Sequence, residues 1–273
     1  MQFKPDGAVG KTLTGRPPVI NEPQQFVPKP HEDKNKIDTE FESGLIAAWS
    51  FSSLSVFEQC PKRSEFKSVQ KIKEPSSPAL ERGSQIHDLA ERYVRGQEGD
   101  DLPAPLQLFK RGFEELKQAF ADGKVHCEDE WAFRKDWSLT EWNADDCWHR
   151  AKLDALLIED DGSALIIDYK TGKKFGNELK HGEQGLTYAI DTFLRYPDLD
   201  FIKVEFWYLD KGEKLVREYT RQQALLFHPQ LHQRAKKMTT TIDFPAQPSM
   251  FACKWCYYGK EGLCKDVFDA SQL

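Results

Sequence analysis

The chain has 273 residues, 39% hydrophobic and 30% charged, with a formal net charge of −6. That is an ordinary soluble balance whose core need not depend on disulfides, and the length suffices for one large domain or two small ones. No apolar run approaches the roughly 18 residues of a membrane span. An acidic chain also lacks the uniformly basic surface usual for nucleic-acid binding, although acids gathered around a cation would reverse that local charge.

The first residues, MQFKPDGAVGKT, contain no apolar segment of the signal-peptide kind. The expected location is therefore cytoplasmic, and the six cysteines are expected as thiols or metal ligands rather than disulfides. Residues 1–45 are rich in Pro, Gly and polar residues without a sustained period. They read as an extended or disordered arm ahead of a single folded domain over 46–273. The GAVGKT at 7–12 is not a phosphate-binding loop, because Pro5 stands where that motif needs glycine and no strand has room to precede it.

The stretch SFSSLSVFEQCPKR predicts a short helix capped by Ser52 or Ser53 and ending before Pro61. A basic stretch follows, with Lys62, Arg63, Lys67, Lys71 and Lys73. Ser77 before Pro78 predicts the start of a helix over 78–95, with Ile86, Leu89, Ala90 and Tyr93 as its apolar stripe. His87 and Glu91, four apart, share a face beside that stripe, and Gly83 sits one turn earlier. Spacing alone fits a boundary histidine as well as a ligand. A further helix is predicted over 103–122 from the recurrence of Phe109, Phe113, Leu116 and Phe120.

The period then changes. EDEWAFRKDWSL and CWHRAKLDALLIEDDGSALIIDYKTG are rich in aromatic and β-branched residues and read as strands, with Cys127 and Cys147 as small core residues. Asp160-Asp161-Gly162 suits a three-residue hairpin loop with Gly162 in the left-handed position. A loop centred on Asp161 sets Asp154 opposite Asp168, with Cβ atoms about 4.5–5.5 Å apart, and Lys170 on the same side as Asp168. Like charges so placed destabilise a sheet, and partly buried carboxylates are costly. A divalent cation removes the conflict, and oxygen ligands suit Mg²⁺ or Mn²⁺. Lys170 beside it could orient a water. An ordinary Asp154–Lys170 ion pair is the plainer alternative.

Helix returns over 178–195, with Leu179, Leu186, Ile190 and Phe193 as core stripe. Gln184 and Tyr188 lie on roughly the opposite side, facing solvent or a substrate. A hairpin around Asp210–Glu213 and a helix over 221–238 precede Cys253, Cys256 and Cys264, spaced C-x2-C-x7-C. That is one thiolate short of the usual four for zinc or an iron–sulfur cluster. The order of elements predicts an α/β fold: a mixed central sheet flanked by helices, with a helical N-terminal part and a cysteine-stapled tail.

Four of these elements, in order, resemble the motifs of the RecB-like branch of the PD-(D/E)XK nuclease superfamily, over residues 50–265. GSQIH matches its G-x3-H element, AKLDAL supplies the first acid, IIDYKTG is close to its D-x-K strand and QGLTY matches Q-x3-Y. The resemblance implies that His87, Asp154, Asp168 and the Tyr169 carbonyl bind Mg²⁺ or Mn²⁺, that Lys170 helps activate water, and that Gln184 and Tyr188 contact DNA. Glu91, following His87, is a further candidate. Some members of the branch carry a 4Fe–4S cluster. Here that implies Cys60, Cys253, Cys256 and Cys264 as ligands, with Zn²⁺ as the alternative. The implied activity is a metal-dependent DNA exonuclease acting on single-stranded DNA or DNA ends in recombination, repair or phage DNA metabolism, alone or with a helicase or recombinase partner, and without a membrane. A CRISPR-adaptation-type nuclease, a non-catalytic DNA-end binder scaffolded by the cluster, and a zinc-stapled protein-binding domain are the competing readings.

Overall fold

The computed structural model describes residues 37–268. Most of the expected arm, including GAVGKT, lies outside the described residues. Residues 37–45 are extended but docked. The Gly44 N–H donates to Thr239 O at 2.6 Å, Lys135 Nζ donates to Phe41 O at 2.7 Å and His232 Nε2 lies 2.7 Å from Asp38 O. Only glycine fits at position 44, where a Cβ would come 2.4 Å from the Thr241 carbonyl.

Helix α1 (Phe51–Gln59) is capped by Ser50 and not by Ser52 or Ser53. Ser50 and Ser53 exchange side-chain and backbone bonds in a reciprocal capping box. A short α2 (Pro61–Ser64) and a π-turn (Glu65–Val69) carry the basic stretch, part of which is neutralised locally by Lys62–Glu65 and Arg63–Glu74 pairs. Helix α3 (Pro78–Val94) starts at Ser77, as predicted. The helix expected over 103–122 is in part a 3₁₀ turn (Ala104–Phe109), and only α4 (Lys110–Ala121) is α-helical. Pro103 and Pro105 supply no N–H for a regular first turn.

Among the described residues six strands form one sheet, β1 (Val125–Phe133), β2 (Leu139–Thr140), β3 (His149–Ile158), β4 (Ser163–Lys170), β5 (Phe201–Tyr208) and β6 (Glu213–Thr220), in the order β2-β1-β3-β4-β5-β6. All neighbours are antiparallel except β4 and β5, which are parallel and joined across one face by α5 (Glu178–Arg195). The helix expected over 221–238 is broken into α6 (Arg221–Leu226) and α7 (His228–Thr240), because Pro229 cannot donate into a continuous ladder. Short helices α8 (Met250–Lys254) and α9 (Tyr257–Lys260) form the tail. No helix among the described residues is long and apolar enough to cross a membrane.

Each face of the sheet has its own core. On one, Leu54, Ile190, Phe193 and Met238 of the helices cover Leu153, Ile166 and Val204. On the other, Ile86, Tyr93 and Phe113 cover Cys127, Ala155, Tyr169 and Trp207. The central strands change faces midway. Leu153 belongs to the first core and Ala155, two residues on, to the second; on β1 Trp131 and Phe133 belong to the first and Val125 and Cys127 to the second. Ordinary pleating would keep such residues together. The reversal falls between the pairs Cys127↔Ala155 and Asp129↔Leu153, at Glu128 and Asp154. Glu128 there adopts a left-handed φ of 54°.

Candidate metal and active site

The β3–β4 hairpin turns through Asp160-Asp161-Gly162, with Gly162 at φ +81°. Its register pairs Ala155 with Ile167 and Leu156 with Ile166. Asp154 and Asp168 are therefore the next opposed positions. The ladder stops short of them. Asp154 Oδ2 takes the Tyr169 N–H at 2.6 Å instead, and Asp154 Oδ1 lies 3.2 Å from His87 Nδ1 on α3.

Asp168 is held from the other face. It is 4% exposed. Its Oδ1 accepts from Gln184 Nε2 at 3.2 Å and Tyr188 OH at 3.1 Å, and its Oδ2 lies 2.6 Å from Lys170 Nζ with no other donor. Gln184 Nε2 also donates to Tyr188 OH at 2.7 Å, and Gln184 Oε1 accepts from Lys170 Nζ at 3.1 Å. Every Gln184 donor and acceptor is thus directed into the site. Of the two faces spacing allowed on α5, the structure selects the inward one. The core-stripe expectation for Leu179 is corrected: it is 87% exposed, while Gly185 and every residue from Thr187 to Phe193 are buried. The second half of α5 is enclosed on all sides, so no single stripe describes it.

Burial pushes the Asp168 carboxyl above the ordinary range, and the Asp154 charge adds to this against the pull of Lys170 and His87. Burial alone would hold His87 down, but its bond to Asp154 and the two carboxylate charges carry it above the usual imidazole value. The pair of charges thus favours protonated forms in each partner for opposite reasons: Asp168 to shed charge, His87 to balance it.

Glu128 was not singled out from sequence. His87, Glu128 and Asp154 each offer a ligand atom, all within 4.8 Å of one another. Asp168, by contrast, is turned to Lys170 and α5 and does not join that trio. Burial raises the Glu128 carboxyl above its ordinary range, partly offset by Lys152 Nζ at 2.6 Å. The one sequence signal was the acid run Glu128-Asp129-Glu130 inside a strand. The backbone reversal that turns Glu128 toward His87 leaves the apolar alternation unbroken. Glu128→Gln is expected to weaken Mn²⁺ binding about tenfold. Calorimetric titration checks this, and unchanged affinity would assign Glu128 to Lys152 alone.

A cleft of about 530 Å³ opens above the trio, bordered by Gly83, Glu91 and Thr171. A Cβ at Gly83 would approach Thr171 Oγ1 to 3.3 Å, which is why this turn of α3 can lie close to the end of β4. Glu91 reaches the rim, where it accepts from Arg95 Nε at 2.8 Å.

Cys127 and Cys147 are buried core residues, and burial drives the Cys127 thiol up to about 12. Cys60 Sγ accepts from the Gln247 N–H at 3.5 Å and Cys253 Sγ from the Phe268 N–H at 3.4 Å. Among the described residues, however, no three thiols gather within 4.8 Å of one another. Tetrahedral zinc, with Zn–S of about 2.3 Å, needs sulfurs about 3.8 Å apart, so the thiols do not form that site. The four-cysteine cluster gains no support from this arrangement either. What ties the tail to residues 60–72 is Tyr258: its OH donates to Ile72 O at 2.8 Å and its ring stacks on Phe66 at 4.9 Å.

A family model described as the PD-(D/E)XK nuclease superfamily matches residues 48–260. No curated protein matches the chain. Among solved structures, one titled "Crystal structure of SSO0001" is similar at 14% identity and a TM-score of 0.44, covering 82% of this chain and 88% of that one.

Proposed function

The chain belongs to the PD-(D/E)XK nuclease superfamily, and we propose that it is a divalent-metal-dependent nuclease that hydrolyses the phosphodiester bonds of DNA as an exonuclease, on single strands or at ends. The observation that carries this reading is the buried Asp168–Lys170–Gln184–Tyr188 network beside the His87–Asp154 contact. A buried carboxylate opposed to a second one is costly, and a protein that only bound DNA would have no use for it.

The donor set fits a hard cation: carboxylate oxygens and one imidazole, gathered at a cleft. His87, Glu128 and Asp154 would hold it, with Asp168, paired with Lys170 outside that trio, and the Tyr169 carbonyl as neighbouring oxygen donors. Bound Mg²⁺ or Mn²⁺ supplies Lewis acidity at the phosphoryl oxygen and a lowered pKa for water. Lys170 Nζ, fixed between Asp168 Oδ2 and Gln184 Oε1, orients the attacking water and balances charge on the phosphate. Gln184 and Tyr188 hold Asp168 in place and present the α5 face to DNA.

The finer assignments are a 4Fe–4S cluster on Cys60, Cys253, Cys256 and Cys264, action in recombination, repair or phage DNA metabolism, and a helicase or recombinase partner. The C-x2-C-x7-C spacing, looser than the paired C-x2-C common for zinc, is what supports the cluster reading over zinc. It predicts a broad visible absorbance in anaerobically purified protein. Colourless protein with stoichiometric zinc removes it.

The test of the function is a time course on 5′- and 3′-labelled single- and double-stranded DNA with Mg²⁺ or Mn²⁺. Cation-dependent shortening from one end is expected, and intact DNA in every lane would defeat the reading.

A further inference from the structure

A second cavity, of about 310 Å³, lies behind the Gln184–Tyr188 wall of the site. Lys152 lines both this cavity and the cleft above His87 and Asp154, so one side chain of β3 borders the two. One wall is Trp142. Arg150 Nε donates to the Trp142 carbonyl at 2.9 Å, and its guanidinium lies 5.6 Å from the centre of the Trp142 ring. An aromatic plate and a cation are thereby held together at the mouth.

The floor is polar and fixed. His149 is fully buried, its Nε2 lying 3.1 and 3.0 Å from the two Asp191 oxygens. The Trp49 ring stacks on it at 3.8 Å, so the imidazole cannot turn. His149 Nδ1 has no hydrogen-bond partner. That nitrogen is enclosed by the protein, with Trp49 and Phe133 on the two sides of the ring, so His149 braces the cavity without meeting a ligand. A ligand suited to this cavity is therefore flat and aromatic, to stack on Trp142, with hydrogen-bonding edges for Ser50 and Arg150 in the lining.

Building on the nuclease reading, we propose that this cavity is a nucleobase subsite: one base of a single strand stacks on Trp142 while the adjoining phosphate lies over Asp154 and Asp168. Bases have a π-face for the plate and polar edges for the Ser50 and Arg150 side chains of the lining. A paired base cannot enter without leaving its duplex, so the cavity gives the site a reason to prefer single strands.

The test uses the full chain and single-stranded oligonucleotides in which one abasic residue is moved position by position, with Mn²⁺. In wild type, one abasic position should lower kcat/KM at the adjacent bond about tenfold, through KM, in line with the stacking of one base. Trp142→Ala should show that loss on intact DNA and no further sensitivity to the abasic position. Trp142→Phe should restore the sensitivity. Trp142 is only half-buried and outside both cores, so these variants should fold. Normal cleavage with indifference to every abasic position overturns the subsite and leaves the nuclease intact. If wild type cleaves no DNA, the nuclease reading fails by itself. Binding of strands carrying 2-aminopurine then decides the subsite: quenching at one position that Trp142→Ala abolishes supports it, and no quenching at any position refutes it.

Discussion

Asp168→Asn should lower DNA cleavage by about 10³-fold while leaving DNA binding nearly unchanged, and Lys170→Met should lower it by about 10²–10⁴-fold, the range for a positioned proton-handling group. The amide keeps the shape of Asp168 and can still accept from Gln184 and Tyr188, so the loss reports charge rather than packing. Stability should move the other way. The Asp168 carboxyl is raised in the folded chain, first by burial and then by Asp154. A group raised by folding contributes most when protonated, and that contribution is lost as pH climbs from the ordinary carboxylate range through its folded value. Asparagine does not ionise. At neutral pH, without added metal, the variant should therefore melt no lower than wild type, and the difference should vanish in acid. Mn²⁺ should raise the wild-type Tm and leave the variant's nearly unmoved, by mass action on the folded state. An equal metal-induced rise in both proteins would remove Asp168 from the cation site, and full cleavage activity would remove it from the chemistry.

Phe113→Ala should cost about 3–5 kcal/mol of folding free energy, the range for emptying a fully enclosed aromatic site. Phe113 is 0% exposed. Its ring centre lies 5.2 Å from that of Tyr169, 5.4 Å from Trp207 and 6.4 Å from Tyr93, so one side chain joins α3, α4, β4 and β5. Gly112 beside it lets Trp207 come so close that a Cβ would meet the indole at 2.4 Å. The surroundings are rigid rings that cannot collapse into the space. Urea denaturation should show a lower midpoint with an unchanged slope. A loss below about 1 kcal/mol would mean that the cavity closes.

The parts of the site that were legible in the sequence are those set by local chemistry. The Asp-Asp-Gly loop fixed the β3–β4 register, and with it the opposition of Asp154 and Asp168. The bounds of α5 followed from its apolar content. The face that α5 presents did not, because its second half is buried all round and a stripe at helical period no longer separates inside from outside. Glu128 was hidden for a related reason. Two strands reverse faces together at Glu128 and Asp154, so each still alternates and the reversal leaves no trace in the pattern. Ile37 and Phe41 are isolated anchors in an aperiodic stretch, and nothing in their spacing marks 37–45 as docked. The cysteines could be named as donors, but the distances between them depend on how the tail turns around Tyr258.

The site is also unevenly distributed along the chain. Asp168, Lys170, Gln184 and Tyr188 all belong to the β4–α5 crossover segment, within 21 consecutive residues, whereas His87 comes from a helix far earlier in sequence. Close neighbours in sequence find each other quickly, and distant ones must first close a long loop. The acid–lysine half can therefore be in place in a partly folded chain that still lacks its imidazole. Lifting α3 off the sheet would likewise disarm the centre without disturbing that half, which makes the docking of one helix the step that separates a folded sheet from a competent one.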